Sequence, residues 1–345
     1  MKAVIYHGPG KVALAEKPKP KIEKSTDCLI KIIKTTICGT DLHIRKGDVL
    51  TVDIGRTLGH EGVGVVEEVG NAVLNFKLGD KVLISCITSC GRCSRCRSKM
   101  YSHCESGGWM LGNLIDGTQA EYVRIPFADN SLHLLPQGVD EESLVMLSDI
   151  FPTGYEAGVL KGQIKLGDTV AIIGAGPVGL ATLLSAQFCS PSQIIVVDID
   201  DYRLGVAKKL GATITINDLD NRAVEKIMHY TNQKGVDVSI EAVGTPETFD
   251  TCQLILAPGG FLANIGIHGK SVNLRLENLW HQNITLTTAV VDTFTIPTLL
   301  KIVESGKLQP SQLITHHFSL NEAMKAYDIF QNASKYQALK VILQP

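Results

Sequence analysis

The chain has 345 residues, of which 44% are hydrophobic and 20% charged, with a formal net charge of −2. That length suits two domains, and the near-neutral balance argues against nucleic acid or an anionic membrane as a partner. No stretch reaches the roughly 18 apolar residues of a membrane span, and the opening run Met1–Tyr6 is too short for a signal-peptide core, so a cytoplasmic protein is expected.

Residues 1–85 read as β-rich. Leu29 to Lys34 is β-branched and half-alternating, Val63 to Val69 is strand-like but broken by glycine, and Val82-Leu83-Ile84 follows a turn at Gly79-Asp80. So many glycines suggest bulges and tight corners, as in a small partly open barrel. Within this stretch lie Cys38-Gly39-Thr40-Asp41-Leu42-His43 and Gly59-His60-Glu61-Gly62. Sulfur, imidazole nitrogen and carboxylate oxygen are the atoms zinc takes, and a catalytic zinc uses three protein ligands with one position open. On spacing alone the cluster is a weak signal, because a lone Cys and a lone His are more often buried core residues.

The nine cysteines are unevenly spread. Without a secretion signal they are expected to be mostly reduced, and Cys28, Cys189 and Cys252 read as small core hydrophobes. Cys90, Cys93, Cys96 and Cys104 form a C-x2-C-x2-C-x7-C run. Short spacings let one backbone turn aim three sulfurs at a point, and the fourth closes a tetrahedron. Four thiolates saturate Zn²⁺, so such a zinc is structural. An iron–sulfur cluster is the rival occupant.

The first helical stretch is expected at Thr153-Gly154-Tyr155-Glu156-Ala157, where a domain boundary is placed. Thr169 to Ile173 then reads as a buried strand, followed by Gly174-Ala175-Gly176-Pro177-Val178-Gly179, an apolar helix from Leu180 to Phe188, and a second strand ending on Asp198. In this strand–turn–helix setting Gly174 permits the tight turn, Gly176 lets backbone approach a pyrophosphate, and Gly179 lets the helix pack on the strand. The helix N-terminus receives the negative charge. Asp198, 19 residues past Gly179, is placed to take the ribose hydroxyls. Strands and helices then alternate as in a doubly wound parallel sheet. A helix over Phe249 to Leu256 is expected to break at Pro258-Gly259-Gly260, with Phe261 to Gly266 the next strand and Ile284 to Thr288 the last. A strand over Ala338 to Ile342 is expected to return to the first domain.

Taken together these motifs resemble the zinc-dependent medium-chain alcohol dehydrogenases, over essentially the whole chain, with most likeness to the bacterial secondary-alcohol branch. The resemblance implies a Rossmann cofactor domain over 151–289. It also implies a GroES-like, partly open barrel over 1–150 and 290–345, with a structural-zinc lobe at 86–105. It further implies a catalytic zinc on Cys38, His60 and Asp149, with Glu61 an occasional or indirect ligand, and a second zinc on Cys90, Cys93, Cys96 and Cys104. Thr40 would accept the alcohol proton, relayed through the cofactor ribose toward His43. Thr153, Gly174, Gly176, Pro177, Val178, Gly179, Asp198 and Arg203 would bind the cofactor, and Cys86, Trp109 and Val290 would line the substrate pocket. Members of that branch are NADP-dependent and lack the cysteine lobe, whereas this chain has Asp198 and all four cysteines.

The expected activity is NAD-dependent interconversion of small, mainly secondary alcohols with ketones or aldehydes, in a homodimer or homotetramer. A polyol or threonine dehydrogenase is the alternative within the family. A zinc-free reductase or nucleotide-binding structural protein is the alternative outside it, and zinc per chain separates the two.

Overall fold

The computed structural model describes all 345 residues. They form two compact units, residues 1–152 with 292–345, and residues 153–291. No helix is long and apolar enough to cross a membrane.

The first unit is built on a seven-stranded sheet. Its strands run in the order Ile314–Ser319, Lys340–Gln344, Cys28–Ile37, Gly62–Val69, Lys81–Ile84 and Leu132–Leu134, with Tyr122–Ile125 pairing on Cys28–Ile37. Cys28–Ile37 organises the rest because it pairs with Gly62–Val69, Tyr122–Ile125 and Lys340–Gln344. Cys28, Ile30 and Ile32 are buried on one face of the strand and fill a core with Val66, Val82, Ile84 and Val123, while Lys31 on the other face is exposed. Its pairing with Gly62–Val69 slips register twice, which gives the sheet its bends.

A helix, Gly39–Lys46, follows Cys38 directly and was not expected before residue 153. Its segment is polar and short, so hydrophobic periodicity does not reveal it. Its cap does, since Cys38 is extended at the N-cap, Asp41 accepts the Cys38 N–H at 2.9 Å, and Gly47 closes the C-terminus at φ 89. Ile44 anchors the helix in a core with Ile37, Leu58, Tyr327 and Val341.

The second unit is a six-stranded, wholly parallel sheet in the order Ile214–Asn217, Gln193–Asp198, Thr169–Ile173, Val236–Glu241, Leu256–Asn264 and Thr285–Thr288. Its strands Gln193–Asp198, Thr169–Ile173 and Val236–Glu241 are rich in Val and Ile, as strands buried on both faces are. Pro258-Gly259-Gly260 does not separate a helix from a strand as expected, because the helix Pro246–Leu254 has already ended and the strand Leu256–Asn264 runs through these residues. Val236 pairs with Leu256 and Val238 with Phe261, so Ala257 to Gly260 bulges out of a strand that continues on either side. A bulge tolerates a proline that a regular ladder would reject.

Candidate active site

Three segments of the first unit bring Cys38, His60 and Asp149 together. Cys38 ends the long central strand and starts the helix Gly39–Lys46. His60 follows Gly59, whose φ is +93 and whose Cβ would lie 2.6 Å from Gln119 Cγ, so only glycine makes that corner. Asp149 lies between the helical turns Met146–Ser148 and Ile150–Thr153 at φ −144, ψ −66. Ser148 fixes that segment beside His60, its hydroxyl bonding the Gly62 N–H at 3.1 Å and the Gly62 carbonyl at 3.3 Å.

Asp149 Oδ2 lies 3.2 Å from His60 Nε2 and 3.8 Å from Cys38 Sγ, and the three donor atoms lie within 4.8 Å of one another. Bonds of about 2.0–2.3 Å in a tetrahedron put ligand atoms roughly 3.3–3.8 Å apart, so the residues fit a zinc ion. Soft sulfur, imidazole and carboxylate are also its usual donors. Burial disfavours the charged form of His60, yet Asp149 and Cys38 together raise its pKa well above the ordinary value. The pocket demands positive charge. Glu61 stands outside this group. Its Oε2 accepts from Thr36 Oγ1 and Lys340 Nζ, and its Oε1 is buried without a partner.

Cys86 Sγ lies 3.6 Å from Asp149 Oδ1, and Trp109 meets His60 edge to face at 6.4 Å between centroids. Both border the triad. Val290 belongs to the other unit, where it is 57% exposed. Thr40 Oγ1 is 3.9 Å from Cys38 Sγ. His43 lies three residues further along the same helix, with Nδ1 3.0 Å from Asp48 Oδ2.

The four remaining motif cysteines also converge, and their sulfurs satisfy the same 4.8 Å limit. Cys93 Sγ is 3.5 Å from Cys96 Sγ, which is 3.9 Å from Cys90 Sγ. The backbone N–H of Cys90 points at Cys104 Sγ at 3.2 Å. Backbone N–H groups of Cys96 and Glu105 draw the Cys93 thiol down to about 6, the thiolate form a metal requires. All four are protein sulfurs, so a metal here has no open position.

In the second unit Gly174 has φ +111, and a Cβ on Gly179 would lie 1.9 Å from the Gly174 carbonyl oxygen. No other residue lets the helix start so close to its strand. Nothing lies within 4 Å of a Cβ built on Gly176, the N-cap of Pro177–Ala186, where no side chain caps the helix. Asp198 Oδ2 accepts the Ala175 N–H at 2.7 Å, and Oδ1 accepts the Asp200 N–H at 3.0 Å. The acid therefore sits against the glycine turn, and Arg203 Nε is buried without a partner nearby in sequence on the helix Asp201–Lys209.

Residues 24–137 match the alcohol dehydrogenase GroES-like domain, and residues 177–305 match the zinc-binding dehydrogenase family. An alcohol dehydrogenase from Cupriavidus necator is 36% identical, covering 100% of this chain and 99% of its own. The chain belongs to the zinc-dependent medium-chain alcohol dehydrogenases. The apo structure of zinc-dependent alcohol dehydrogenase 2 from Streptococcus pneumonia superposes with a TM-score of 0.96 at 53% identity, covering 100% of this chain and 98% of that one. Alcohol dehydrogenase TADH from Thermus sp. ATN1 gives 0.93 at 35%, covering 100% and 99%.

In this dehydrogenase a set of buried polar residues behind the triad escaped sequence reasoning. Tyr327 donates to Gln119 Oε1 at 2.7 Å, Gln119 Nε2 donates to Asp41 Oδ2 at 3.0 Å, and Lys340 reaches Thr36 and Glu61. One signal was available. In Leu339-Lys340-Val341-Ile342, strand alternation sets Lys340 on the face of Ile342, and both are buried.

Proposed function

We propose that this oxidoreductase interconverts small secondary alcohols and ketones with NAD(H), using a catalytic zinc on Cys38, His60 and Asp149 and a structural zinc on Cys90, Cys93, Cys96 and Cys104. The observation that carries the reading is the convergence of Cys38, His60 and Asp149 at zinc-ligand spacing. Two anionic ligands and a neutral imidazole balance a divalent ion and leave one position for substrate oxygen. Zinc held by these residues would supply Lewis acidity to that oxygen, and NAD⁺ held at the glycine turn would serve as the hydride acceptor. Thr40, two residues after Cys38, accepts the hydrogen bond of the substrate hydroxyl. His43 takes the proton onward, with Asp48 holding its Nδ1 so that Nε2 is the free face.

Asp198 supports NAD over NADP, because a carboxylate at the ribose position repels a 2′-phosphate. Trp109 and Cys86 beside the triad favour an apolar substrate over a polyol. Pairing of Thr285–Thr288 with the same strand of a second copy would give a homodimer, which could assemble further into a tetramer. The test is a panel of primary, secondary and cyclic alcohols and sorbitol, each with NAD⁺ and NADP⁺, alongside zinc analysis. Secondary alcohols with NAD⁺ should give the highest kcat/KM at two zincs per chain. Sorbitol in first place would move the enzyme to the polyol branch, and a metal-free active protein would overturn the reading.

A further inference from the structure

Lys340 is 1% exposed, and a buried ammonium is costly unless paired. Its Nζ lies 2.5 Å from Glu61 Oε2, 3.0 Å from Thr36 Oγ1 and 3.4 Å from the Ile37 carbonyl. Glu61 is equally buried and follows His60 directly. Its Oε2 takes both Thr36 and Lys340, while Oε1, with no access to solvent, has no partner. An isolated carboxylate oxygen thus stands beside the triad, restrained through its other oxygen alone.

Charge makes this arrangement consequential. The triad already neutralises a divalent ion, and Glu61 as a further ligand would bring the centre to −1 and fill the position needed for substrate. Lys340 Nζ lies against Glu61, the neighbour of His60, and against the carbonyl of Ile37, the neighbour of Cys38. The ammonium therefore belongs to the electrostatics of the centre as well as to the sheet.

We propose that Lys340 is a positioning residue of the catalytic centre, whose ammonium holds the Glu61 carboxylate back so that the metal keeps three protein ligands and an open position. The inference rests on the zinc site proposed above. Thr36 shares the restraint from the central strand, and Lys340 supplies the only cation in contact with Glu61. Without that cation, Glu61 is an uncompensated buried anion one residue from a ligand. Its nearest source of positive charge is then the metal.

The test compares the cobalt(II)-substituted holoenzyme with Lys340→Met, Glu61→Gln and the double variant, reading metal content, the visible d–d absorption and steady-state kinetics. Lys340→Met should retain both metal ions, show d–d bands shifted in position and intensity as the Glu61 carboxylate takes the open position, and lose about 10–100-fold in kcat/KM. The double variant should return to the spectrum and kinetics of Glu61→Gln alone, because Lys340 acts only through that carboxylate. Lys340→Met with the parental spectrum would overturn the proposal. So would a double variant that stays impaired relative to Glu61→Gln, a comparison that holds even where Lys340→Met alone does not fold. Failure of the underlying zinc reading looks different: Asp149→Asn would then hold as much cobalt as the parent.

Discussion

At the residue scale, Asp149 carries the greatest weight. An aspartate ahead of a helical turn can be no more than a cap, whose loss costs about 1 kcal/mol and leaves chemistry nearly intact. Here its Oδ2 faces both Cys38 and His60, so Asp149→Asn should release one of two zincs and lower kcat by about 10²-fold or more. Retention of both zincs with a slightly lower Tm would reduce Asp149 to a cap. Asp198 is a different case, because its carboxylate braces the glycine turn and in the proposed reading also meets the ribose. Asp198→Asn keeps an acceptor for the Ala175 N–H and removes only the charge. The kcat/KM ratio of NAD⁺ to NADP⁺ should therefore fall by roughly tenfold or more, as relief of a like-charge contact implies. An unchanged ratio would leave discrimination to other groups, Arg203 among them.

At the element scale, the cysteine lobe and the strand Leu132–Leu134 give separate tests. Cys93→Ser should lose one zinc per chain and melt lower, because a closed thiolate site contributes folding energy directly. Turnover per folded molecule should persist, and an inactive variant with full zinc and unchanged melting would make the lobe catalytic. In the strand, burial lowers the pKa of His133 to about 4 from an ordinary 6.5. Between those values the unfolded chain binds the extra proton, so the contribution of His133 is intact above pH 6.5 and is lost as pH falls toward 4. His133→Gln should flatten the urea-midpoint difference between pH 7 and pH 5, and an equal slope in both proteins would show that His133 does not drive it. The parallel sheet was legible because Val and Ile runs alternate with helices at short range, and the barrel strands because Leu29 to Lys34 alternates in hydrophobicity. The helix Gly39–Lys46 was hidden, since a polar eight-residue segment is marked only by its caps. Cys38, His60 and the lobe were legible because their ligands cluster in sequence. Lys340 was not, because it meets Glu61 across 279 positions, and local pattern says nothing of such a pairing.

For the whole molecule, the outer strand Thr285–Thr288 leaves one edge of the six-stranded sheet unpaired within the chain, and Leu276, Trp280 and Leu286 are exposed in and just before it. Exposed edges invite pairing with another chain, so the protein should sediment as a dimer or larger, and Leu286→Lys should shift it toward monomer at micromolar concentration. A parent chain that sediments as a monomer would remove this interface. The sheet of the first unit has another consequence, one of timing. Its central strand is flanked by Lys340–Gln344, so Lys340, on which the centre depends, is translated 191 positions after Asp149. At about 5–20 residues per second, a nascent chain holds Cys38, His60, Asp149 and Glu61 for roughly 10–40 s before the buried cation exists. An ion arriving in that interval meets Glu61 unrestrained, so the order of metallation and completion on the ribosome should decide which coordination the newborn enzyme first adopts.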